Sequence, residues 1–110
     1  MENCIFCKIA NKEIPSNLVY EDDYTVAFND LNPQAPVHVL VIPKQHYSSL
    51  NELDDKNVMS ALLNAVKEVT KKLQITDYRT VINTGKGAGQ EVFHIHLHIL
   101  AGRPLKWPPG

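Results

Sequence analysis

The sequence predicts an α+β domain: an antiparallel sheet of about five strands covered on one face by helices, one of them long. Three observations predict it. Short β-branched runs recur between turn residues. One segment carries an apolar stripe at helical spacing. Strands and helices do not alternate regularly. At 110 residues the chain is expected to form one domain, residues 1–110, with enough buried surface to need no staples.

The elements follow in order. Cys4 to Ala10 reads as a short helical turn, broken by Ile14-Pro15-Ser16. Leu18 to Tyr20 and Tyr24 to Phe28 read as strands joined by the polar turn Glu21-Asp22-Asp23. Asp30 to Pro36 is a loop punctuated by two prolines. Val37 to Ile42 is a β-branched run closed by Pro43, as a buried strand would be. Leu53 to Leu73 is the long helix, with Val58, Leu62, Val66, Val69 and Leu73 on one stripe. Arg79 to Thr84 is a further strand. Gly85 to Gly89 is a glycine-rich loop, and Val92 to Leu100 is the last strand. The tail from Arg103 holds three of the seven prolines and is expected to be irregular.

Composition narrows the function classes. Eleven basic against twelve acidic side chains leave no positive excess to hold a polyphosphate backbone, so nucleic acid is not an expected partner. The longest apolar stretch, Val39 to Pro43, is far too short to span a bilayer, so no membrane partner is expected. Met1-Glu2-Asn3-Cys4 is not a basic segment leading into an apolar run, so no secretory leader and a cytoplasmic location are expected. In that compartment Cys4 and Cys7 read as thiols or metal ligands before they read as a disulfide.

The segment Gln90-Glu91-Val92-Phe93-His94-Ile95-His96-Leu97-His98 concentrates the chemistry. On a strand, His94, His96 and His98 would share one face, while Phe93, Ile95, Leu97 and Ile99 would face the core. Alternate residues lie about 6.6–7 Å apart along a strand, which separates His94 and His98 by roughly 13 Å. One ion, with nitrogen ligands at about 2.0–2.1 Å, cannot hold all three from a regular strand. The imidazoles must therefore serve different roles. Imidazole is a competent nucleophile near neutral pH, provided its second nitrogen holds a proton fixed by an acceptor.

His94-Ile95-His96-Leu97-His98-Ile99-Leu100 resembles the signature of the histidine-triad superfamily, the HIT fold. The resemblance covers nearly the whole chain. Cys4 to Ile9, Asn29 to His38, Val41-Ile42-Pro43-Lys44 and the ending Trp107-Pro108-Pro109-Gly110 resemble its Hint branch. It implies a homodimer that binds purine nucleoside monophosphates and hydrolyses nucleoside 5′-phosphoramidates, with no catalytic metal. His96 matches the nucleophile, which would attack the α-phosphorus and form a covalent nucleotidyl-histidine. The backbone carbonyl of His94 would fix its tautomer. His98 matches the phosphate-contacting position, and His38 the fourth histidine beside the triad. Gln90 would donate to the phosphate or the bridging atom. Asp30 matches the ribose-binding acid. Asn83, the backbone N–H of Gly89, Glu91 and Val92 fall at phosphate-side positions. Glu91 departs from the serine that several Hint proteins carry there: an ionised carboxylate only accepts hydrogen bonds, and its charge opposes a phosphate.

The spacing Cys4-x-x-Cys7 is common in zinc sites. The resemblance implies that His46 and His94 would complete a closed, structural zinc; free thiols and a redox pair are the other readings. Three functions compete with the phosphoramidase: a dinucleoside polyphosphate hydrolase, a nucleotide-binding scaffold without turnover, and a zinc hydrolase using the histidines as ligands.

Overall fold

Alternation along one central strand sets the architecture. The computed structural model describes residues 3–110; the reading of Met1 and Glu2 as the start of a leaderless chain lies outside them. Strand β3 is Val37–Pro43. It pairs antiparallel on one side with β2 (Thr25–Asn29) and on the other with β5 (Leu97–Ala101). β1 (Leu18–Glu21) and β4 (Arg79–Val81) form the edges, giving the order β1-β2-β3-β5-β4 with every pair antiparallel.

Successive side chains on these strands point to opposite faces. Val39, Val41, Ala27, Leu97 and Ile99 pack with Val58, Leu62, Ala65, Val66 and Val69 of helix α2 (Lys56–Lys72). Leu40, Ile42, Val26 and Phe28 pack with Phe6, Ile9 and Ala10 of helix α1 (Ile5–Ala10). The helices therefore cover both faces, which corrects the expectation of one. A six-residue helix is too short to be stable alone; α1 forms where the alternation of β2 and β3 leaves a second apolar face to cover.

Several boundaries move for local reasons. α2 starts at Lys56 rather than Leu53, because the Asp55 carboxylate accepts from the N–H groups of Asn57 and Val58 and caps it. Leu50–Glu52 form a 3-10 turn before it, and Leu53 still reaches the core. Leu73 caps the helix end and is 40% exposed, so it does not join the stripe. β2 starts at Thr25, because Asp22 gathers the N–H groups of Tyr24 and Thr25 at 2.8 Å each. β4 ends at Val81 rather than Thr84.

The largest correction concerns the last strand, which begins at Leu97 and not Val92. The β3–β5 ladder runs from Val37↔Ala101 to Val41↔Leu97. Beyond it stands Pro43, which has no N–H to donate. Its carbonyl is taken by the ring of His94 at 2.8 Å. Residues 92–94 bend away instead, and Phe93 is 49% exposed rather than in the core. Among the described residues, no helix is long and apolar enough to cross a membrane.

Candidate active site and metal centre

The three histidines share the α1 side of the segment, opposite Ile95, Leu97 and Ile99 in the α2-side core, and each has a separate environment. The ring of His94 is wholly buried beside Cys4, Cys7 and His46. His96 is buried, with its Nδ1 2.9 Å from the carbonyl oxygen of His94. A carbonyl only accepts, so Nδ1 carries a proton, and in the neutral ring Nε2 is the nitrogen with the lone pair. Nε2 makes no hydrogen bond to the described residues. Phe6 stands edge-on to the ring at 5.1 Å and limits its rotation.

His98, the second residue of β5, lies 4.9 Å from His96 between ring centroids. Its protonation pattern is set two residues away. The backbone N–H of Gln34 donates to Nδ1 of His38 at 3.0 Å. An amide N–H only donates, so the proton of a neutral His38 sits on Nε2. That nitrogen is 2.8 Å from Nδ1 of His98, and donates to it. His98 is thereby left with its proton on Nε2, a buried N–H with no partner among the described residues. Burial, then His96 and His38, push His98 down to about 4. Burial also lowers His38, with Asp30 opposing, so both rings are neutral at pH 7.

Asp30 places Oδ2 3.4 Å from Nε2 of His38, while its Oδ1 accepts the N–H of Asn32. The proline loop thus holds the acid at the mouth of the histidine row by an Asx turn. Asp30, His38 and His98 also bring three ligand atoms within 4.8 Å. The 2.8 Å contact between the two imidazoles is a hydrogen-bond distance, shorter than the roughly 3.3 Å between two nitrogens on one tetrahedral ion.

The loop before the histidines is a clamp. Gln90 is 2% exposed. Its amide donates to the carbonyls of Ser48 and Val92, and its Oε1 accepts the N–H of Gly85. Both of its donors are engaged, so the expectation of an amide reaching the phosphate is not met here. The N–H of Gly89 likewise donates to Lys86 within the 3-10 turn Lys86–Ala88, rather than standing open to an anion. The positive φ of Gly89 (+96°) is where glycine is needed. Asn83 reaches the Gly89 carbonyl at 3.5 Å. Glu91 and Val92 line a groove of about 720 Å³ with Ile5, His46, Ser48 and Phe93, on the cysteine side of the segment.

Cys4, Cys7, His46 and His94 converge within 4.8 Å. α1 supplies both sulfurs, because Cys4 is its N-cap and Cys7 lies one turn on. The imidazole nitrogens are 3.2 Å apart, and the sulfur–nitrogen contacts are 3.3–3.5 Å. A tetrahedral ion with bonds of about 2.0–2.1 Å to nitrogen and 2.3 Å to sulfur requires roughly 3.3 and 3.6 Å. His94 donates Nε2–H to Pro43, which leaves the Nδ1 lone pair facing the cluster, the usual outer support of a metal-bound imidazole. Burial, and then Cys4, raise the Cys7 thiol to about 11, whereas a bound cation would favour the thiolate. Burial lowers His94 to about 4, the neutral form a ligand needs. The four residues fit a metal.

Sequence reading missed three backbone groups that govern these side chains: the N–H of Gln34 and the carbonyls of Pro43 and Ser48. Only Pro43 left a trace, because a proline closing a buried run marks where a ladder stops.

Residues 11–105 match the HIT domain. The chain belongs to the HIT family. A HIT family hydrolase from Legionella pneumophila Philadelphia 1 has the same fold, with a TM-score of 0.93 and 46% identity over 98% of this chain and 100% of that one. The 14 kDa zinc-binding protein of Zea mays is 47% identical over 96% of this chain and 87% of its own length. A histidine triad nucleotide-binding protein from Candida albicans gives a TM-score of 0.84 at 37% identity, covering 96% and 83%.

Proposed function

We propose that this protein is a purine nucleoside phosphoramidate hydrolase that works through a nucleotidyl-histidine intermediate. One observation carries the reading. Two imidazoles 4.9 Å apart would, as neutral rings, have opposite tautomers, one presenting a lone pair and the other an N–H. Phosphoryl transfer needs this pair, a nucleophile and a donor for charge on the non-bridging oxygens. The hydrolase and nucleotide-binding relatives support the same class.

Nε2 of His96 would attack the α-phosphorus while the P–N bond to the amine breaks and the amine takes a proton from water. His98 would donate Nε2–H to a phosphoryl oxygen, and Asp30 would accept the ribose hydroxyls. Water would then cleave the phosphorus–His96 bond, releasing the nucleoside monophosphate. Asn83, Gly89, Gln90, Glu91 and Val92 would frame the phosphate side, with Gln90 holding the loop from within.

Zinc is the ion we assign to Cys4, Cys7, His46 and His94, by the mixed sulfur and nitrogen donor set. With four protein ligands it would tie α1 to the histidine segment and supply no catalytic step. We also read the chain as half of a homodimer. β4 is an edge strand, and Met59 and Leu63 on α2 are 37% and 60% exposed. Sedimentation equilibrium should give twice the 12.4 kDa chain mass; a monomer at high micromolar concentration would refute the dimer.

The test of the activity is chemical trapping. Brief exposure to adenosine 5′-phosphoramidate should leave one nucleotidyl adduct, mapped by mass spectrometry to the peptide holding His96. An adduct elsewhere, or faster turnover of diadenosine polyphosphate, would reassign the reaction.

A further inference from the structure

We propose that the Cys4–Cys7–His46–His94 cluster positions the nucleophile, so that Cys4, Cys7 and His46 set the tautomer and aim of His96 without touching substrate. This inference rests on the reading of His96 as the attacking group.

The connection passes through a single peptide plane. The carbonyl of His94 and the N–H of Ile95 belong to one rigid unit. The carbonyl accepts Nδ1–H of His96 at 2.9 Å. The N–H donates to the carbonyl of Tyr47 at 2.7 Å. Tyr47 follows the ligand His46, and His94 is itself a ligand. The plane that orients His96 is therefore anchored at one end by a residue of the cluster, His94, and at the other by Tyr47, the neighbour of a second.

β5 begins only at Leu97, so the plane lies outside the ladder. A second contact runs in parallel. Phe6 sits between the two cysteines in α1 and touches both rings edge-on, His94 at 5.9 Å and His96 at 5.1 Å. Loosening the cluster would release the plane and the aromatic stop together. The His96 ring could then exchange protons between its nitrogens, and the Nε2–H form would offer phosphorus an N–H instead of a lone pair.

The test compares three proteins: the metal-loaded wild type, the same protein after chelation, and Cys7→Ser. Val26→Ala, which thins the packing under α1 without touching a ligand, serves as the comparison for general loosening. Nitrogen-resolved NMR reads the His96 tautomer, equilibrium binding reads affinity for AMP, and rapid quench reads formation of the nucleotidyl adduct. Chelation and Cys7→Ser should turn the single Nδ1–H form into a mixture. They should slow adduct formation about tenfold or more and leave AMP affinity and the circular dichroism spectrum unchanged. Cobalt should restore both the tautomer and the rate, with its own absorption reporting occupancy.

The proposal fails if the chelated protein keeps the pure Nδ1–H form, or if Val26→Ala mixes the tautomers equally. If Cys7→Ser does not fold, the chelated wild type decides. If no protein forms an adduct at all, the hydrolase reading is lost, while the tautomer measurement still judges the positioning role.

Discussion

The His96→Ala variant should lose turnover of adenosine 5′-phosphoramidate by at least about 10³-fold, because removal of a nucleophile leaves only binding and electrostatic stabilisation. AMP should still bind, since Asp30 and the His98 N–H remain in place. Stability should fall moderately, because His96 packs against Phe6 and satisfies the His94 carbonyl. The split matters more than the loss. A variant that binds AMP as before yet forms no adduct identifies His96 as the attacking group. Steady turnover in His96→Ala, at a rate near that of the wild type, would leave the mechanism without a nucleophile. His98→Asn should behave differently, retaining slow adduct formation at His96 while weakening stabilisation of the phosphoryl oxygens.

The second large effect is loss of stability in mild acid. In the folded protein His98 is lowered to about 4 from its ordinary 6.5, chiefly by burial. Between those values the unfolded chain binds a proton that the folded chain does not. The stability is therefore fully present above pH 6.5, and is lost as pH falls toward 4. At pH 5 the loss from His98 alone is on the order of 2 kcal/mol. His94, lowered to about 4 mainly by burial, adds in the same direction. Urea unfolding at pH 7.5 and 5.0 should show the drop, and His98→Asn should show a smaller one. Equal midpoints at the two pH values would mean that His98 titrates normally in the folded state.

The strands and the long helix were legible because each reports its own environment. The stripe Val58, Leu62, Val66 and Val69 lies on the core as its period requires, and the β-branched run from Val37 to Ile42 is buried on both faces. The histidine row was legible as chemistry and in its shared face, but not in where the strand begins or in the exposure of Phe93. A strand reading from Val92 assumes a continuing ladder, and the ladder ends at Val41↔Leu97, short of Pro43. The four-ligand set came from the resemblance, because His46 and His94 lie far from the cysteines in sequence and meet them only through the packing of α1. Gln90 was misread for a similar reason. A side chain seems free to meet a ligand until distant carbonyls, here that of Ser48, are brought against it.

The chain of donors from Gln34 through His38 to His98 begins at a main-chain amide, and that origin has an evolutionary consequence. An amide has no second protonation state, so the polarity of the wire runs one way at any ordinary acidity. It also belongs to the backbone rather than to the residue. Position 34 can drift through almost any amino acid without reversing His98, and proline alone would erase the source. A functional requirement can thus persist at a site whose identity natural variation would leave looking unconstrained.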